Sequence, residues 1–385
     1  VLTVTDSKLP AVGTTIFTVM SRLAEEHGAV NLGQGFPDFD PPEALKAALA
    51  RHAAAGKNQY APMAGVPALR ARIAVELERS YGRKLDPESE ITITSGATEA
   101  IFDAIAAVVR PGDEVIVLDP SYDSYEPSVL LQGGRCVHVP LSPPSFAVDW
   151  QRVADAVSPR TRLLIVNFPH NPTGAVLAPN DLETLAEILR DTNVLVLSDE
   201  VYEHIVFDGR THQSILRHDE LSLRAFVVGS FGKSYHATGW KIGWAAAPAR
   251  LSTELRKVHQ FVTFSTSTAA QHALADVLVD DPAHLRTLGD FYQQKRDRFR
   301  ASLAGVPFEL LPVAGAYFQL ADYSALSHDD DLAFARRLTT EFGVAAIPLS
   351  PFYAEPPGHR LVRFCFCKKS ETLDAAAERL ARLAR

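Results

Sequence analysis

The sequence predicts an α/β protein: a mostly parallel sheet of seven strands, one of them antiparallel, covered by helices and followed by a smaller α+β part. Three observations carry this expectation. Short apolar runs alternate with helical periodicity from Ile91 to Ala247, which is the pattern of parallel strands buried on both faces. Only residues 231–241 separate the last two runs, too few for a parallel crossover, so the final strand is expected to run antiparallel. Beyond Pro248 the pattern turns to long helices and then to mixed strands and helices.

The elements follow in order. Residues 8–16 read as extended and 17–27 as a helix closed by Gly28. The segment 31–42 holds too much Gly and Pro for regular structure and reads as a loop that lines something. A helix is predicted at 42–55, an irregular loop at 58–65, and a helix at 67–81 with Pro67 in its first turn. The seven strands are expected at 91–95, 114–119, 135–141, 162–168, 194–198, 224–230 and 242–247. A helix with apolar Ile101, Ile105, Val108 and Val109 follows the first of them, and another lies at 181–191. Helices are then predicted at 250–261, 267–278, 282–303, 332–342 and 371–383, with strands at 316–320 and 361–367. A chain of 385 residues is long for one core, and the expected division is an N-terminal segment 1–40 joining the small domain, a large domain 41–290, and a small α+β domain 291–385.

Composition excludes several classes. A hydrophobic fraction of 46% is that of an ordinary soluble protein, and a net charge of −8 disfavours a nucleic-acid partner. No window approaches the length of a transmembrane helix, so no membrane partner is expected. Residues 1–8 lack the basic and apolar regions of a signal peptide. Cys136, Cys365 and Cys367 form no C-x-x-C pair and read as reduced thiols of a cytoplasmic protein. The histidines show no H-x-x-x-H or H-E-x-x-H spacing, so no metal site is expected.

Open α/β sheets bind ligands beyond the carboxyl ends of their strands, which directs attention to the polar residues there. The stretch Gly229-Ser230-Phe231-Gly232-Lys233-Ser234 places a lysine just past an apolar run. Gly-Lys-Ser suggests a P-loop, but that motif needs four residues between its glycines, whereas Gly229 and Gly232 enclose two. Lys233 instead suits Schiff-base chemistry, and the surrounding glycines suit close approach of a ligand. Ser95-Gly96-Ala97-Thr98 opens a helix and suits an anion. Tyr122 and Tyr125 offer aromatic faces, and Asn171 lies in an Asn-Pro-Thr-Gly turn. Asp199 follows Val194-Leu195-Val196-Leu197, so its carboxylate should be desolvated and need a cationic or protonated partner. Arg363 lies within Leu361-Val362-Arg363-Phe364-Cys365-Phe366, where its planar fork suits a carboxylate. One ligand that uses all these parts is pyridoxal 5′-phosphate carrying an amino acid.

The motifs Asn171-Pro172-Thr173-Gly174, Ser198-Asp199-Glu200-Val201-Tyr202, Ser230-Phe231-Gly232-Lys233 and Thr238-Gly239-Trp240-Lys241-Ile242-Gly243 resemble the class I pyridoxal-phosphate aminotransferases of fold type I. Gly33-Gln34-Gly35-Phe36-Pro37, Asn58-Gln59-Tyr60, Val258-His259-Gln260 and Arg363-Phe364-Cys365-Phe366 are similar to the kynurenine and glutamine aminotransferases. Tyr60-Ala61-Pro62-Met63 and Asp119-Pro120-Ser121-Tyr122-Asp123 are similar to the bacterial methionine aminotransferase branch. The resemblance implies that Lys233 would bond the cofactor and shuttle the substrate's α-proton, and that Asp199 would keep the ring nitrogen protonated. Asn171 and Tyr202 would bond the ring oxygen and Tyr122 would stack on the ring. Gly96, Ala97, Thr98, Ser230 and Lys241 would hold the phosphate, Ala97 through its backbone alone. Tyr60 would reach the phosphate in the other subunit of a homodimer. Arg363, Asn171 and Gly35 would grip the carboxylate of an amino acid or 2-oxo acid, and Ile16, Phe17, Tyr122 and Phe264 would receive its side chain. That pocket suits methionine, phenylalanine, tyrosine, glutamine or kynurenine better than aspartate. Ping-pong amino transfer is the expected reaction, with β-lyase action on cysteine S-conjugates as the alternative.

Overall fold

The structure, a computed structural model, describes residues 7–384. Residues 1–6, on which much of the reading against a signal peptide rests, lie outside the described residues, as does Arg385.

The large sheet is built from β1 (Ile91–Thr94), β2 (Glu114–Asp119), β3 (Arg135–Pro140), β4 (Thr161–Asn167), β5 (Leu195–Asp199), β6 (Ala225–Ser230) and β7 (Gly243–Ala246). Their spatial order is β1-β7-β6-β5-β4-β2-β3. Every adjacent pair is parallel except those made by β7, which runs antiparallel to both β1 and β6. The short connection is responsible: between β6 and β7 it holds only the four-residue helix Phe231–Ser234 and the 3-10 turn Thr238–Trp240.

Each central strand is buried on both faces because successive side chains enter different cores. Val115, Val117, Leu163, Ile165, Leu197, Phe226 and Val228 pack with Ile101 and Ile105 of the helix Ala97–Val108. Ile116, Leu164, Val166, Val196 and Val227 face the other core. β3 lies at the sheet edge and is only partly covered.

A second, antiparallel sheet contains β8 (Glu309–Leu310), β9 (Phe318–Asp322), β10 (Ile347–Pro348) and β11 (Leu361–Cys365), in the order β10-β11-β9-β8. Beside it, Val30–Asn31 pairs in parallel with Val344–Ala345 and fastens the N-terminal segment there. The helix Ala283–Ser302 is continuous through residues 290 and 291, and its Arg296 bonds both carboxylate oxygens of Asp208 at 2.7 Å.

Three sequence expectations are corrected. The first helix spans Ile16–Glu26, because Thr15 caps it by accepting the amide of Thr18 at 3.3 Å; Ile16 is therefore helical and not extended. The strand expected at 316–320 occupies Phe318–Asp322, since Ala316 takes a φ of 57° and directs its amide to the Ile205 carbonyl. Two of the glycines near Lys233, Gly229 and Gly243, serve packing of the protein on itself rather than the approach of a ligand. A Cβ on Gly229 would overlap the indole of Trp244, its partner across β6 and β7, and one on Gly243 would lie 2.6 Å from the amide nitrogen of Ala97.

Gly229→Ala is expected to destabilise the protein by about 1–3 kcal/mol through overpacking. Urea unfolding checks this, and an unchanged midpoint would refute the packing role.

Candidate active site

The carboxyl ends of β1, β4, β5 and β6 open into one cavity. It is lined by Gly96, Ala97, Thr98, Tyr122, Asn167, Asn171, Asp199, Tyr202, Ser230, Lys233 and Lys241, with Ile101, Val201, Gly232, Thr238 and Ile242. Because β7 runs antiparallel, its first residues lie at this same end, and that brings Lys241 to the cavity.

One end of the cavity suits an anion. The helix Ala97–Val108 starts after Gly96, at φ 79° and ψ 170°, with no side-chain cap. Its first amides therefore remain available to a ligand. The Lys241 amine packs against Gly96, where a Cβ would stand 3.3 Å from Nζ, and Ser230 flanks it. Ala97 can contribute only its backbone.

Asp199 ends β5 and is buried. Its Oδ2 accepts a 2.6 Å hydrogen bond from Tyr125, and its Oδ1 accepts the Val201 amide at 3.3 Å. Within the chain its hydrogen-bond partner is the neutral phenol of Tyr125, so the cationic partner that the sequence calls for is left to a ligand. Burial pushes the Asp199 carboxyl up to about 6, although the Tyr125 hydrogen bond opposes the shift. Tyr125 was singled out in the sequence only as an aromatic face, because nothing in its spacing shows that the helix Tyr125–Leu131 turns its hydroxyl to β5. Asn167 was missed for a similar reason. It donates to the Asp199 carbonyl at 2.9 Å and accepts the Asn171 amide at 3.0 Å, so it fixes two neighbours of the cavity.

Lys233 follows β6 on a single helical turn. Its Nζ lies 3.4 Å from the Gly35 carbonyl and 5.8 Å from the centre of the Tyr202 ring. Burial lowers its pKa from the usual lysine value, with the nearby Cys367, Cys365 and Asp199 acting against the shift. A depressed amine is a better nucleophile and base near neutral pH.

Arg363 is fully buried in β11. Its Nη1 donates to Asn171 Oδ1 and its Nη2 to the Gly33 carbonyl, both at 2.8 Å, while Nε has no partner among the described residues. The guanidinium carbon lies 4.2 Å from the Phe318 ring centre, 5.2 Å from that of Phe17 and 6.0 Å from that of Phe352. With its amide oxygen engaged by Arg363, Asn171 can offer its NH2 to a ligand. The Gly35 carbonyl also accepts from Tyr317 at 2.8 Å. Tyr317, Phe318 and Phe352 were not found in the sequence, since they come from separate loops and strands, and Gly33 was read there only as part of a loop motif. Ile16 is half-buried beside Phe17 against the core. Tyr60 and Phe264 do not line the cavity: they are 82% and 40% exposed and meet edge to face at 5.5 Å.

Residues 27–380 match the family of class I and II aminotransferases. The chain belongs to that family and is a transaminase. It is 55% identical to the methionine aminotransferase of Escherichia coli, over 98% of each sequence. Against the crystal structure of that organism's YbdL, reported to identify a methionine aminotransferase function, the TM-score is 0.97 at 55% identity, with 98% of this chain and 99% of the other covered. A probable N-succinyldiaminopimelate aminotransferase of Mycobacterium tuberculosis is 43% identical over 99% of this chain and 98% of its own. The mouse kynurenine–oxoglutarate transaminase 1 is 37% identical, over 94% and 93%. The family depends on pyridoxal 5′-phosphate, which is the cofactor here, and the fold is that of the fold type I enzymes.

The side chains fit that group chemically. The uncapped helix start with Lys241 suits its phosphate, a desolvated carboxylate suits a protonated ring nitrogen, and Lys233 suits its aldehyde. Because only the ionised carboxylate can hold that nitrogen, cofactor uptake by the cofactor-free protein is expected to fall as the pH drops through about 6. Tyr125→Phe removes a bond that favours the carboxylate, so its midpoint should move to higher pH; a spectroscopic titration at several pH values measures this, and an unmoved midpoint would exclude the role of Tyr125.

Proposed function

We propose that the enzyme transfers the amino group of an apolar or aromatic L-amino acid, methionine foremost, to a 2-oxo acid by a ping-pong mechanism. The observation that carries this is the setting of Arg363. One buried guanidinium can bind the α-carboxylate, and the half-buried ring of Phe17 beside it offers the rest of the substrate an apolar surface. The high identity to the methionine aminotransferase of E. coli supports the choice of donor. Phenylalanine, tyrosine, glutamine and kynurenine are further donors on this reading. Nothing in the site favours β-elimination from cysteine S-conjugates.

When bound, pyridoxal phosphate supplies the electron sink that stabilises charge at the substrate's α-carbon and carries the amino group between the two half-reactions. The protein's own residues do the rest. Lys233 would hold the cofactor, and its amine would move the proton at the substrate's α-carbon. Asp199 would keep the ring nitrogen charged, Tyr122 would cover the ring, and Tyr202 and Asn171 would donate to its oxygen. Gly96, Ala97, Thr98, Ser230 and Lys241 hold the phosphate, and Arg363, Asn171 and Gly35 orient the substrate carboxylate. Ile16, Phe17 and Tyr122 receive the side chain, and Phe264, which does not line this chain's own cavity, joins them only across the dimer contact proposed below.

On the same reading the active unit is a homodimer in which Tyr60 reaches the partner's cofactor. The exposed side chains of Tyr60, Phe261, Val262 and Phe264 support this, since such apolar groups mark contact surfaces. The division at residues 40 and 290 is retained, with the helix Ala283–Ser302 crossing its second boundary. A cytoplasmic location is supported by the free thiols of Cys136, Cys365 and Cys367. No helix of the described residues is long and apolar enough to cross a membrane.

A donor panel with several 2-oxo acids tests the substrate class: methionine should give the highest kcat/KM and aspartate a negligible one, and a preference for aspartate would sink the proposal. Lys233→Ala should lower kcat by about 10²–10⁴-fold, the range for loss of a general base. Arg363→Lys should raise KM for methionine about tenfold or more, because an ammonium lacks the bidentate fork.

A further inference from the structure

Behind the anion end of the cavity lies a buried cluster that the proposed chemistry does not use. His259, from the helix Ala249–Val262, is fully buried. Its Nδ1 faces Glu99 Oε1 at 2.8 Å and Asp103 Oδ2 at 3.6 Å, and its Nε2 faces the Met63 carbonyl at 2.9 Å. A carbonyl only accepts, so Nε2 carries a proton. Glu99 Oε2 also accepts the Ser95 amide, which favours the carboxylate form, so Nδ1 donates as well. His259 is thus an imidazolium. Burial opposes its charge, but Asp103 and Glu99 outweigh that and raise its pKa to about 9. Burial likewise raises Asp103 to about 6. The three side chains lie close enough to suggest a metal site, but a ring with both nitrogens protonated has no lone pair to give.

What the cluster touches indicates its use. Through Glu99 it holds Ser95, at the start of the stretch that opens the helix Ala97–Val108. Through Met63 it holds the loop that carries Tyr60, a loop also tied to β1 by the bond from the Ile93 amide to the Ala64 carbonyl. Both Asp103 oxygens are buried with no hydrogen-bond partner among the described residues, and Oδ2 is turned to the imidazolium.

We propose that His259 and Glu99 are positioning residues for the cofactor phosphate: the imidazolium is anchored on the Met63 carbonyl on one side and holds Glu99 on the other, and Glu99 fixes the Ser95 amide, so the backbone segment that opens the anion pocket is held in one geometry against the loop behind it. Asp103 supplies the balancing charge. The inference rests on the reading that residues 96–98 and Lys241 bind the phosphate.

The test compares affinities of the cofactor-free full-length protein for pyridoxal phosphate and for pyridoxal, which lacks the phosphate. Glu99→Ala and His259→Asn should each weaken pyridoxal phosphate binding about tenfold, as expected for loss of a bond to a charged group, and leave pyridoxal within about twofold. Glu99→Gln, nearly isosteric and still able to accept from Ser95, should retain more affinity than Glu99→Ala, and it decides the matter should the other variants fail to fold. Equal loss for both ligands, no loss for pyridoxal phosphate, or a Glu99→Gln protein no better than Glu99→Ala would overturn the clamp. Lys241→Ala in the same assay separates the two levels of argument: if it leaves the preference for the phosphorylated ligand intact, the phosphate reading itself fails.

Discussion

The burial of the Arg363 guanidinium is the constraint on which the arrangement of the site depends. An unpaired charge in an apolar interior costs several kcal/mol, and burial accordingly lowers the pKa of this arginine. Its partners come from far apart in the chain: Gly33 from the N-terminal loop and Asn171 from the turn after β4. Three regions must therefore meet if the cation is to be paired. The aromatic rings packed on its face add attraction without supplying an anion, and Nε still lacks a partner. A carboxylate that reaches this fork completes a bonding pattern the protein's own groups leave unfinished.

A second constraint comes from chain direction. Had β7 run parallel to β6, its first residue would stand at the opposite end of the sheet, and Lys241 with it. The short link after β6 reverses the chain instead, so Lys233 and Lys241 lie at one end of one sheet. The close fit of that reversal explains why Gly229 and Gly243 tolerate no side chain. Gly229 admits the Trp244 indole between neighbouring strands, and Gly243 admits the first amide of the helix Ala97–Val108. The anion end of the cavity is thus shaped by backbone packing before any ligand contact.

These relations explain which features could be read from the sequence. The strands of the large sheet were legible because burial on both faces leaves continuous apolar runs, and the reversal of β7 was legible because it follows from loop length alone. The two-residue strands Glu309–Leu310 and Ile347–Pro348 were not, since so few residues carry no period. Lys233, Asp199 and Arg363 stood out as ionisable groups beside or within apolar runs. Their supports did not. Tyr125, Asn167 and Glu99 are ordinary residues in ordinary local patterns, and their roles arise only from contacts across the fold. Ala316 shows the same limit in the backbone: its left-handed conformation moves a strand by two residues, and nothing in an alanine announces it.

The partner found for Asp199 changes the electrostatic picture most. A buried carboxylate beside a fixed cation would have its charge already satisfied, and a ligand's ring nitrogen would have to compete for it. A neutral phenol orients the carboxylate and moderates its pKa but cancels no charge, so the interaction with a protonated nitrogen remains available in full. The same logic holds for Lys233, whose desolvation is offset only in part by the charges around it. The protein keeps both groups poorly compensated in a low-dielectric cavity, where an interaction with the correct ligand is stronger than in water. Behind the cavity the His259 imidazolium is instead answered by the carboxylates of Glu99 and Asp103, where rigidity and not reactivity is required.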